Sequence, residues 1–232
     1  MVGMNQLDEN ARDQRLKMAA AAIRQSRRVL EKGGTNLVAE VLKGQGTFYE
    51  MEHYPEGDVF DPDTHSQYYY HAHRGIEREH GHFHLFLRAG AFEPAARPAA
   101  GFKETEPWPR GEDALMHLAG ISVDDYGEPT TLFVTNRWVT GETWFDGETV
   151  ARHLKYFEVD HASPNWAVNI YLTALVRLYE ADIVQLLITR DQIIEKARAE
   201  HASEDVLELR TLDILAQQSI DLNQTLAEIE SW

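Results

Sequence analysis

Residues 68–90 read YYYHAHRGIEREHGHFHLFLRAG, and the alternation inside this stretch decides the fold. On an extended strand alternate side chains share a face. His80, His82 and His84 then point one way, and Gly81, Phe83, Leu85 and Leu87 the other. Just before them, Tyr69, His71 and His73 share a face opposite Tyr68, Tyr70 and Ala72. Two strands with one apolar and one imidazole face, joined by RGIERE at 74–79, make a hairpin. An even loop sets His73 opposite His80 and His71 opposite His82, aligns Tyr68 and Tyr70 with Phe83 and Leu85, and gathers five imidazoles on one face about 5 Å apart. An odd loop would split the set.

Working outward, the period of two continues in strands expected near 46–54, 113–123 and 130–139, beside 66–74 and 80–89, with turns at PEGD 55–58 and DDYGEP 124–129. Short connections imply an antiparallel meander of about five strands, open or curled. The flanks are helical. Residues 5–31 lack Gly and Pro and run into Gly33-Gly34, a natural stop, after which Thr35 can cap a short helix through Leu42. Helical patterns return at 147–157, at 165–199 with a break near Ala181 or Asp191, and at 204–229. The last carries Leu212, Leu215, Leu222, Leu226 and Ile229 at heptad-like spacings, with Ser219 at a seam position. Such a stripe fits an amphipathic helix packed on its own domain, and it leaves open a homodimer seam. The expected class is α+β: an N-terminal helical arm over 1–44, an antiparallel sheet over 45–145, and a C-terminal helical region over 146–232 that forms one domain with the sheet. The stretch 90–112, with four prolines and Trp108, is longer than most connections inside a compact domain and reads as a lid or a tolerated insertion.

The 232 residues include 43% apolar side chains, enough for a sizeable core, and no cysteine, which removes disulfides, thiolate nucleophiles and thiolate-held metals. A net charge of −16 disfavours a nucleic-acid partner. The charge is uneven: residues 1–45 carry +3 and the remainder −19. With neither a secretory h-region nor a charge-free apolar run of bilayer length, a cytoplasmic protein with no membrane partner is expected.

Five of the 11 histidines fall within 71–84, so the expected site is metallic, its ligand pool being His71, His73, His80, His82 and His84. His117 joins them from a strand apolar on both faces. If Val123 pairs with Thr130, His117 lies opposite Asn136, either as a ligand with an orienting partner or as a satisfied core pair. Asn136 and Arg137, beside Trp138 and the TGETW run at 140–144, form a candidate clamp for a small planar or anionic ligand, or a structural corner. Imidazoles suit a divalent transition metal, zinc, iron or copper; adding one carboxylate from Glu77, Glu79, Asp61 or Asp63 would favour non-haem iron. His53, His65, His153, His161 and His201 read as surface residues. Walker, dinucleotide-binding and serine-elbow motifs are absent from the sequence. The competing reading is a non-catalytic small-molecule-binding or interaction domain, with the imidazoles as polar lining.

His71-x-His73-x3-Glu77 looks like part of a cupin metal motif, but the flanking glycines and the second motif are missing, so that chemistry is not adopted. HLFLRAG at 84–90 and HLAGISVDDYGEPTTLFVTNRWVTGETW at 117–144 resemble a bacterial domain family of unknown function. The resemblance covers the β-rich middle and implies no activity.

Overall fold

The computed structural model describes residues 2–73 and 79–232, with residues 2–8 as backbone only. In chain order it comprises α1 (Val2–Lys32), α2 (Leu37–Leu42), β1 (Tyr54–Phe60), β2 (Ser66–His71), β3 (Gly81–Arg88), β4 (Leu115–Val123), β5 (Pro129–Thr135), α3 (Arg137–Thr140), α4 (Gly147–His153), α5 (Trp166–Leu178), α6 (Glu180–Glu200), β6 (Ile214–Ser219) and α7 (Leu222–Glu230). The strands form one open antiparallel sheet in the order β1-β2-β3-β4-β5-β6. The α+β meander is therefore as expected, extended by a strand from the C-terminal region.

That extra strand corrects the reading of 204–229 as one helix. Residues 214–219 pair with β5, Thr131 opposite Ser219 and Val134 opposite Ala216, and a separate helix starts at Leu222 where Asp221 accepts from the Gln224 N–H. Leu215 packs with Trp108, Trp144, Ile194 and Leu207, whereas Leu222, Leu226 and Ile229 join the main core. The leucine stripe thus serves two clusters and is not a helical seam.

Strand β1 also departs from expectation, lying at 54–60 rather than 46–54. PEGD is no turn but a bulge inside the strand: Tyr54 pairs with Tyr70, Val59 with Tyr68, and Gly57 and Asp58 between them take φ of +83° and +60°. The helix break comes at Tyr179, two residues before Ala181, and α2 is capped by Asn36 rather than Thr35.

One face of the sheet is apolar. Tyr68, Tyr70, Phe83, Leu85, Leu87, Leu132 and Val134 pack in a single cluster with Ala20 and Ile23 of α1, Val168 and Leu172 of α5, and Ile183 and Leu187 of α6. Each large apolar side chain buried there contributes roughly 1.5–3 kcal/mol. The Tyr68 hydroxyl, inside this cluster, donates to Asn169 Oδ1 at 2.7 Å and so ties β2 to α5. Burial pushes its ionisation far above the ordinary tyrosine value. Among the described residues, no helix is long and apolar enough to cross a membrane.

The stretch 90–112 is strapped down. The Ala99 N–H donates to the Trp144 carbonyl, the Thr105 N–H and hydroxyl both donate to Asp205 Oδ2, and Trp108 is buried in the second cluster.

Candidate metal centre

The opposite face of the sheet carries the imidazoles. The hairpin register places His71 opposite His82 and Tyr69 opposite His84; on the next pair of strands His84 faces Gly120 and His82 faces Ser122. Antiparallel partners share a face, so Tyr69, His71, His82 and His84 form one polar surface. It is not solvated: His82 and His84 are each 1% exposed and His71 is buried. Phe133 of β5 lies beneath His82 and His84, its ring centroid 5.4 and 5.5 Å from theirs and nearly perpendicular to both. Only a glycine fits opposite it, because a Cβ at Gly120 would fall 2.1 Å from that ring.

At the end of this surface His71, His73 and His82 converge. Their ring centroids lie 4.4 to 5.1 Å apart, each pair edge to face, and one nitrogen from each ring falls within 4.8 Å of the others. A tetrahedral zinc ion would draw such nitrogens to about 3.4 Å, an adjustment of χ angles rather than of backbone. His71 and His82 are buried and His73 is exposed, so the trio sits at the rim of the polar face. His82 Nδ1 donates to Glu79 Oε1 at 2.7 Å, with Glu79 8% exposed, which fixes the ring and leaves the lone pair on Nε2.

The inner half of the same face is built differently. His84 Nδ1 and His117 Nε2 share a hydrogen bond of 3.0 Å, both rings fully buried. Burial, reinforced by the Arg190 charge, holds His117 down to about 3 from 6.5, so it is neutral. Its backbone N–H donates to Glu142 Oε2 at 2.8 Å. Beyond β5 the chain turns through α3 and Gly141, and Thr143 then bonds Leu115 through both its N–H and its hydroxyl, taking the place beside β4 that β5 has left. Burial raises Glu142 to about 7, against the pull of Arg190, the His117 N–H and Arg137.

Measured against the expected ligand pool, His71, His73 and His82 come together. His80 does not: the strand begins at Gly81, and the His80 ring turns to the apolar side, where its Nδ1 bonds the Tyr70 hydroxyl and Phe48 lies 6.2 Å away. Gly81 permits this, since a Cβ there would fall 2.3 Å from the same hydroxyl. His84 and His117 form the inner pair rather than part of the trio. The β4–β5 register matches expectation at Gly120–Phe133, although Val123 pairs with Pro129 across a bulge. Asn136 nevertheless does not orient His117. Its side chain accepts from the Arg137 N–H and donates to the Val206 carbonyl, each at 2.9 Å. Arg137 is ion-paired with Glu208, donates to the Pro107 carbonyl at 2.8 Å, and lies over Trp108, so the pair pins 107–108 to 206–208. Glu77 lies outside the described residues, and Asp61 accepts the N–H groups of Asp63, Thr64 and Asp160 in a turn.

Of the histidines expected on the surface, one is buried, and another, exposed as expected, also touches the polar face. His153 is buried, bonded to the Thr149 carbonyl and the Glu93 N–H. His53 lies flat on Tyr69, centroids 3.5 Å apart, and edge-on to His71 at 5.6 Å. No spacing in the sequence signals His53, which arrives from the loop before β1. Glu142 stood inside the TGETW run but without any periodic cue to its burial.

Searches among curated proteins and among solved structures return no significant match. A family model matches residues 17–220, nearly the whole chain and all six strands, and on this the chain belongs to the family described as a domain of unknown function, DUF6969.

Proposed function

We propose that the chain is a metal-binding protein whose ion is held by His71, His73 and His82. The observation that carries the reading is the convergence of three imidazoles, one nitrogen of each within 4.8 Å of the others, at the rim of a buried polar face. The Glu79 carboxylate behind His82 supports it, because a ligating histidine commonly donates its second ring N–H to such a group. Three neutral nitrogen donors suit zinc, copper or iron rather than calcium or magnesium. They leave a coordination position for water or a small molecule, the arrangement of a mononuclear metalloenzyme. The net charge of −16 favours a cation over an anionic ligand.

Titration of untagged, metal-stripped protein with Zn(II) tests the reading. It should show about one equivalent bound at micromolar Kd or tighter, with a melting temperature that rises with ligand concentration. His73→Ala, at an exposed position, should weaken binding by about tenfold or more. Failure of Zn(II), Cu(II) and Fe(II) alike to bind or to shift the melt would overturn it.

A further inference from the structure

Two rings of the trio are buried and the third, His73, is exposed, so an ion can arrive past His73 or from the side of His71. Next to the trio is a pocket of about 580 Å³ lined by Glu52, His53, Glu56 and Asp58, with Gln45 and Tyr54, and, among the described residues, by no Lys or Arg. His53 belongs to both places. Its ring lines the pocket and also stands edge-on to His71, 5.6 Å between centroids. We infer that this pocket is the route by which a divalent cation reaches the centre, and that His53 receives the ion there and passes it to His71. The inference rests on the metal reading above and adds how the site is loaded.

Three further observations support it. His53 Nδ1 donates to Asp58 Oδ1 at 3.1 Å, the carboxylate–imidazole pairing that turns Nε2 into the ligand atom. Asp58 is itself fixed: it occupies the strand bulge at φ +60°, and its other oxygen accepts from Gln67 Nε2 at 2.6 Å, while Gln67 Oε1 accepts from Arg88 Nε at 2.6 Å. The His53 ring rests on Tyr69, so a planar surface holds it in place without consuming a ring nitrogen. The carboxylates around it concentrate cations by ordinary electrostatic attraction. His53 lies outside the converging trio, which gives it the role of a transient ligand.

Stopped-flow uptake of Co(II) by the full-length apoprotein, followed by its visible absorption, separates loading from holding. His53→Phe keeps an aromatic ring on Tyr69 and removes the nitrogens. The double variant Glu52→Gln/Glu56→Gln alters only exposed side chains and provides a fold-neutral second test. Each should slow association about tenfold, the slowing in the double variant fading as salt is raised, with the final Co(II) spectrum unchanged and Kd for His53→Phe within about threefold of wild type. Association within about twofold of wild type in both variants would overturn the inference and place uptake past the exposed His73. A changed final spectrum in His53→Phe with normal uptake would make His53 a permanent ligand and overturn it too. Wild-type protein that binds neither Co(II) nor Zn(II) would remove the metal reading and this inference together.

Discussion

His71 faces His82 across β2 and β3, and His84 of β3 reaches His117 of β4 on the same polar face. The first pair meets edge to face at 4.4 Å with a third imidazole beside it; the second shares a hydrogen bond of 3.0 Å. The outer pair has an exposed neighbour in His73 and a carboxylate behind His82. The inner pair is sealed, its His117 held neutral by burial. Imidazole count does not therefore make a metal site. What separates the halves is whether the nitrogens point at one another or at a common point, and whether an ion can reach that point.

The largest effect should come from the outer half. His82→Ala removes a donor that Glu79 has oriented and should lower Zn(II) affinity by about 100-fold or more in calorimetric titration. A loss below about threefold would dissolve the distinction between the halves. The inner half should answer in stability instead. His117→Ala takes away the partner of His84 Nδ1 and opens a cavity in the central strand, so denaturant unfolding should show a loss of about 2–4 kcal/mol, with Zn(II) affinity of the folded protein within about threefold of wild type.

The inner half should also control how stability depends on pH. His117 titrates near 6.5 when unfolded and about 3 when folded, so its contribution is complete above 6.5 and falls as pH drops below that. Glu142 runs the other way. The fold keeps its proton up to about 7, whereas the unfolded chain releases it near 4.5, so stability falls as pH rises from 4.5 to 7. Between 4.5 and 6.5 the two slopes oppose each other. Glu142→Gln removes only the second, and relative to wild type it should gain on the order of 2–3 kcal/mol between pH 5 and pH 8 in parallel urea titrations. A difference that stays flat across that range would show that the carboxyl ionises without hindrance. The smallest effect belongs to His80. With its ring on the Tyr70 side of the sheet, His80→Ala should change Zn(II) affinity by less than about twofold, and a larger loss would return it to the outer group.

The hairpin was the legible part of the molecule. Alternation in 68–90 and an even loop were enough to set His71 opposite His82, because one face had to be apolar and any slip would turn Phe83 and Leu85 outward. His80 escaped the rule because alternation holds only inside a strand and the ladder starts at Gly81. Strand β1 was hidden by its own bulge, as Pro55, Gly57 and Asp58 are turn residues by every local criterion. Residues 214–219 carry a helix-like leucine spacing, and the open edge of β5, a tertiary feature, draws them into the sheet instead. His53 and Glu142 reach the polar face from loops, where periodicity gives no information about position.

The pairing of β6 with β5 carries a consequence for biosynthesis. The outermost seat of the sheet is filled by residues that leave the ribosome only after α3, α4, α5 and α6 have all been made. Until then the free hydrogen-bonding row of β5, with Phe133 and Val134 along it, is a template for a strand from any neighbouring nascent chain. The time before residues 214–219 emerge is therefore an interval in which this protein is exposed to misassembly on a crowded polysome.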